Sequence, residues 1–202
     1  MKTGKLLFLD MDGVMNSQDN MNAMAMLQRK LSEKLGCNFN DVPKGKDQID
    51  EYNMHRYDER CLRWLEYIIL KTGCDLVISS TWRYKGLEKF TEMWKGRNCP
   101  GTIVGVTPFG AYGISDETYG KEYHTTERGW DIQQFLNDLK NHTIPESFRI
   151  ESIYDKNYTK YAILDDDTDM LEHQLPYFVQ TSHRFGLDYR TALQVIAILG
   201  EK

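Results

Sequence analysis

The sequence contains no C-x-x-C pair. Its four cysteines, Cys37, Cys61, Cys74 and Cys99, lie scattered along 202 residues, which excludes a zinc knuckle, and a chain of this size needs no disulfide staples. No apolar run approaches the length of a membrane span. The short apolar stretch near the start runs straight into aspartates, so it reads as a strand and not as a signal peptide. An excess of positive charge is missing too. The 25 Lys and Arg are outnumbered by 30 Asp and Glu, a net charge of -5, which argues against a broad non-specific nucleic-acid surface but leaves a local basic or aromatic groove open. The five histidines (His55, His124, His142, His173, His183) share no metal-ligand spacing and read as surface or structural residues. No internal repeat is present. What remains is a reduced, soluble, cytoplasmic protein of one domain spanning 1–202, with no obligate protein partner evident. Its 41% apolar residues suffice for a hydrophobic core.

Five apolar runs read as buried strands: KLLFL (5–9), DLVIS (75–79), TIVGV (102–106), YAIL (161–164) and YFVQT (177–181). Continuous apolarity, as opposed to alternation, suits a sheet covered on both faces. Between the strands lie helical patterns at 58–73, 84–96, 128–140 and 188–200. The first has Leu62, Leu65 and Ile69 on one side, and the last has Asp188 as an N-cap. Strands alternating with helices predict an α/β fold with a doubly wound parallel sheet. Two segments break the alternation. Residues 17–57 hold a Met-rich helical piece and a polar loop, and are expected to form a small helical cap insertion. Residues 107–127 form a Gly- and Tyr-rich stretch, expected to be a long active-site loop. The Met stripe Met21, Met24 and Met26 reads as core packing.

Ligands of open α/β sheets bind outside the carboxyl ends of the strands. The first tip carries Asp10, Asp12 and Gly13, and the second Ser79, Ser80, Thr81, Trp82 and Arg83. The third leads through the long loop to Arg128, and the fourth carries Asp165, Asp166, Asp167 and Asp169. Two converging aspartate clusters repel one another unless a cation joins them, and oxygen ligands select Mg²⁺. Hydroxyls and Arg128 suit a phosphate. A calcium loop fails on spacing, because an EF-hand needs Gly at its sixth position and Glu at its twelfth. Counting from Asp10 finds Met15 and Met21, and counting from Asp165 finds Met170 and Pro176.

The constellation D-M-D-G-V, LVISS, Arg128 and ILDDDTD resembles the haloacid dehalogenase-like (HAD) phosphohydrolase superfamily. The wording LFLDMDGVMN, SSTWR, VGVTP, RGWDIQQFL and ILDDDTDM is closest to its branch associated with nucleic-acid repair proteins. The resemblance implies a Rossmann-like sheet and an aspartyl-phosphate mechanism. Asp10 would be the nucleophile and Asp12 the acid and base. Ser79 or Ser80 would hold the phosphoryl group, and Arg128 the phosphate. Mg²⁺ would sit on Asp10, the Asp12 carbonyl and Asp165 or Asp166, with Asp169 as outer support. Gly13, Thr81, Trp82 and Arg83 are the candidate substrate-binding residues, and Trp82, Tyr84, Phe109 and Tyr112 suit stacking on bases. The expected substrate is a nucleotide monophosphate or a phosphorylated nucleic-acid end. A sugar phosphate or other small phosphorylated molecule is the alternative, and a catalytically silent binding module the third reading. The chain carries no G-x-x-x-x-G-K-[ST] loop, so in a repair pathway it would supply the phosphatase half only.

Overall fold

The computed structural model describes residues 2–38, 57–109 and 128–202. Five strands, β1 (Lys2–Leu9), β2 (Asp75–Ile78), β3 (Ile103–Val106), β4 (Lys156–Asp165) and β5 (Phe178–Gln180), form one parallel sheet in the order β3-β2-β1-β4-β5. β1 lies at the centre, and Leu6, Leu7, Phe8 and Leu9 are all fully buried. Leu6 and Phe8 face a core shared with α4 (Arg128–Asn141), where Phe8 meets Phe135 edge to face. Leu7 and Leu9 face the opposite core. That core is built by α2 (Glu59–Thr72), α3 (Leu87–Gly96) and α5 (Tyr189–Leu199). Burial on both sides is the reason the strand sequence shows no alternation.

The helix between β3 and β4 crosses on the face opposite to those that follow β1 and β2. The winding direction therefore reverses between β1 and β4, and the topological switch point falls at the tips of those two strands.

α1 (Gln18–Leu35) follows β1, with Ser17 as N-cap and Gly36 as C-cap. The expectation that its methionines pack a core is not met. Ser32 is its buried residue, Met21 and Met24 are half-buried, and Met26 is exposed. The rest of the expected cap, residues 39–56, lies outside the described residues, as do 110–127 of the expected loop, including Tyr112. In α2 the buried stripe runs through Cys61, Leu65, Ile68 and Thr72, with Leu62 and Ile69 flanking it half-buried. The helix expected over 84–96 begins three residues late, because Thr81–Lys85 form a 3-10 turn that stops at Gly86. No helix among the described residues is long and apolar enough to cross a membrane.

The starts of α1 and α2 are tied together in the interior. Ser17 Oγ caps α1 and donates to Asp58 Oδ2 at 2.8 Å, while Asp58 caps α2 by accepting from Arg60 N. Burial would raise the Asp58 carboxyl, but hydrogen bonds from Arg60 and Ser17 hold it below its ordinary value. A depressed carboxyl stabilises the fold above its unfolded-state pKa and loses that contribution as pH falls through the folded-state value. Asp58→Ala is expected to cost about 1–2 kcal/mol at neutral pH, as for other lost caps. The deficit should shrink on acidification below the ordinary pKa of 3.8. Urea unfolding of both proteins at neutral and acid pH measures it.

Candidate active site

Asp10 still belongs to the sheet, since its N–H donates to the Leu164 carbonyl of β4 at 3.1 Å. The chain then coils tightly. The N–H groups of Val14, Met15 and Asn16 all turn back to the Met11 carbonyl, and buried Met11, Val14 and Met15 anchor the turn. Gly13 sits within it at φ 75°, where a Cβ would lie 2.2 Å from the Asp166 carboxyl carbon. Only glycine lets the two acidic tips approach so closely. The Asp12 carboxylate is fixed by two donors, Asn16 Nδ2 at 3.0 Å and Trp82 Nε1 at 2.8 Å.

The tip of β4 lies alongside, because Leu9 pairs with Leu164. Asp165 is fully buried, and its Oδ1 accepts from Asp167 N at 3.0 Å. Arg128 reaches the pair from the first turn of α4. Its Nη1 stands 2.6 Å from Asp10 Oδ1 and 2.5 Å from Asp165 Oδ2, and its Nη2 is 3.7 Å from Asp167. The helix start is held by Asp169, whose side chain accepts from Arg128 N and whose carbonyl accepts from Gly129 N.

One guanidinium does not balance these acids. Carboxylate oxygens of Asp10, Asp165 and Asp166 come within 4.8 Å of one another. Burial pushes the Asp10 carboxyl upward, opposed by Arg128 and by a hydrogen bond from Ser80, while Asp166 adds to the rise. Burial and then the charge of Asp10 likewise raise Asp165, against Arg128. Arg128 itself is held above its ordinary value: burial works against its charge, but Asp10 and Asp165 prevail. A cluster of three oxygen donors short of positive charge is chemically suited to a hard divalent cation. Asp169 lies outside this cluster and works as the helix cap. Asp12 lies outside it as well.

The second strand tip separates into different tasks. The Ser80 hydroxyl, which helps to hold the Asp10 carboxyl down, accepts from Trp82 N at 3.3 Å, whereas Ser79 Oγ is buried with no partner among the described residues. Thr81 is exposed beside Ser80. Trp82 is 8% exposed, so it orients Asp12 and cannot offer a face to a base. Arg83 is not available to substrate either. It is 6% exposed, and its guanidinium bonds the carbonyls of Ser79 and Pro108 and pairs with buried Asp131 at 2.6 Å. Burial drives Arg83 down to about 10, with Asp131 opposing. Tyr84 and Phe109 are exposed, and Phe109 lies over the Arg83 guanidinium at 4.0 Å.

Sequence reasoning missed Asp131, Asn16, Trp130 and the segment after β5. Trp130, two residues beyond Arg128, is 54% exposed. At the fifth strand tip, Thr181 Oγ1 donates to the Gly13 carbonyl and His183 Nδ1 contacts Asp166 Oδ2 at 2.9 Å. The strand-tip rule applied to YFVQT would have found both.

A family model described as the HAD domain in Swiss Army Knife RNA repair proteins matches residues 6–192. The chain belongs to that family. Comparison with curated proteins and with solved structures returns no match.

Removing the Arg83 cation leaves the buried Asp131 carboxylate in a low-dielectric site. Arg83→Ala is expected to destabilise the fold by about 3–5 kcal/mol, and Arg83→Ala with Asp131→Ala by less than the sum of the single changes. Denaturant unfolding of the three variants tests this, and a stability equal to wild type for Arg83→Ala would contradict it.

Proposed function

We propose that this member of the HAD family is a Mg²⁺-dependent phosphomonoesterase. Its substrate is a nucleotide monophosphate or a phosphorylated nucleic-acid end, and its intermediate an aspartyl-phosphate on Asp10. The observation that carries the reading is the meeting of Asp10, Asp165 and Asp166 within 4.8 Å, with Arg128 paired to Asp10. A lone carboxylate is a poor nucleophile toward an anionic phosphate, and the compensating charge would come from Arg128 together with the divalent cation that this acidic cluster suits. In the first step an Asp10 oxygen attacks phosphorus and the ester P–O bond breaks. Asp12 gives its proton to the departing oxygen, while Arg128 and the hydroxyl of Ser79 or Ser80 hold the non-bridging oxygens. In the second step Asp12 takes a proton from the water that attacks the phosphorus. The Asp10–phosphate bond then breaks, and inorganic phosphate leaves. Mg²⁺, held by Asp10, Asp165, Asp166 and the Asp12 carbonyl, would screen the phosphoryl charge from the attacking carboxylate.

The family's association with RNA repair supports a nucleic-acid substrate. So do the exposed rings of Tyr84, Phe109 and Trp130, since aromatic faces of this kind stack on bases. Thr81, exposed next to Ser80, is kept as a substrate contact, and Gly13 contributes backbone. Residues 17–57 are proposed as a cap that starts with α1 beside the Asp12 turn, and 107–127 as the loop leading to Arg128.

Phosphate release with Mg²⁺ is to be measured on 5′- and 3′-nucleoside monophosphates, 5′- and 3′-phosphorylated oligonucleotides and sugar phosphates. Release from the nucleotide or oligonucleotide set, lost in Asp10→Asn, is the expected outcome. Release from sugar phosphates alone would move the substrate to small metabolites, and release that survives Asp10→Asn would sink the mechanism. Mg²⁺ at about a hundred times its Kd should stabilise the wild type by about 2.7 kcal/mol, raising Tm by about 5–10 °C. Asp166→Asn should gain less, and an unchanged wild-type Tm would contradict the metal assignment.

A further inference from the structure

Asp10 and Asp165 have Arg128 to fix them, but Asp166 does not share it. Arg128 pairs with Asp10, Asp165 and Asp167, whereas the side chain that meets the Asp166 carboxylate among the described residues is His183. Asp166 is also the outermost of the three, with 14% of its side chain exposed against 6% for Asp10 and none for Asp165. A carboxylate at the rim of a cluster can turn to solvent unless something holds it. Here it is held from several sides. Gly13 lies against its carboxyl group so closely that a Cβ would collide, and Gln180 Nε2 bonds its backbone carbonyl at 3.0 Å. His183 Nδ1 meets Oδ2 at 2.9 Å. The imidazole is anchored in turn. Its Nε2 lies 3.2 Å from Gln18 Oε1, and the His183 carbonyl accepts from Gln18 N at 3.1 Å. The next residue, Arg184, pairs with Asp19.

On the basis of the metal site proposed above, we infer that His183 is a positioning residue for that site: it fixes the Asp166 carboxylate toward the cation and ties it to the first residue of α1. His183 touches neither the cation nor the substrate, and it acts through Asp166. Partners that orient a metal-bound carboxylate typically govern metal affinity by about 10–100-fold. The contact also makes the placement of α1 part of the metal site, because the same imidazole touches Gln18.

The test is Mn²⁺ binding to the full chain, followed by the electron paramagnetic resonance of the free ion, for wild type, His183→Ala, His183→Asn and Arg184→Ala. Asn puts an amide N–H where Nδ1 stands. Arg184→Ala disturbs the same segment while leaving the Asp166 contact in place. His183→Ala should weaken Mn²⁺ binding by about tenfold or more. His183→Asn should stay close to wild type, as should Arg184→Ala, and the metal-free Tm of His183→Ala should change little. Wild-type affinity in His183→Ala overturns the inference. So does an equal loss in Arg184→Ala, which would mark a merely structural segment, and so does a failure of His183→Asn to restore binding. A wild type that binds no Mn²⁺ removes the metal site itself and the inference with it. That outcome is distinct from a wild type that binds Mn²⁺ indifferently to residue 183.

Discussion

Two buried carboxylates on adjacent parallel strands, bridged by one guanidinium, set the terms for the rest of this structure. Asp10 and Asp165 stand side by side because β1 pairs with β4 in a register that ends at Leu9 and Leu164. Their proximity inside the protein would cost several kcal/mol for each unpaired charge. Arg128 meets both through a single nitrogen. It does so from the first turn of α4, where the helix dipole disfavours a cation. Asp169 offsets that placement by capping the same turn from the segment beyond β4. The result is an acidic site still short of positive charge, which suits the divalent cation and phosphate proposed above.

The position of α4 is therefore the quantity the fold must control, and a second buried ion pair controls it. Asp131, one turn after Arg128, pairs with Arg83, which also grips the Ser79 and Pro108 carbonyls. This connects the helix to the tips of β2 and β3 as firmly as Arg128 connects it to β1 and β4. The SSTWR stretch is accordingly a frame for the most part. Ser80 faces the Asp10 carboxylate, Trp82 orients Asp12 and Arg83 locks α4. Two arginines of one site have separate tasks: Arg128 faces the acids, while Arg83 is buried and held by Ser79, Pro108 and Asp131.

The strands were legible because a sheet buried on both faces writes unbroken apolar runs, as in Leu6 to Leu9. β4 was legible only in part. Its first half, Lys156 to Lys160, is polar and mostly exposed yet pairs with Lys2 to Lys5, and pairing of this kind rests on backbone hydrogen bonds that leave no apolar trace. The acids of the site were legible because carboxylates at strand tips have few other reasons to gather. Long-range partnerships were not. Nothing in the neighbourhood of Arg83 announces Asp131, 48 positions away. The Met stripe of α1 misled for a related reason: helical spacing of methionines reports a face, not what covers it.

The central claim is that the buried carboxylate facing Arg128 is the group that takes the phosphoryl. The most direct measurement is acid quenching of the Mg²⁺-loaded protein during turnover of an aryl phosphate, with mass spectrometry of the peptide carrying Asp10. A phosphoryl adduct on Asp10, absent from Asp10→Asn, is the predicted result. Steady release of phosphate with no adduct on that peptide, or with the adduct on another residue, would contradict the account.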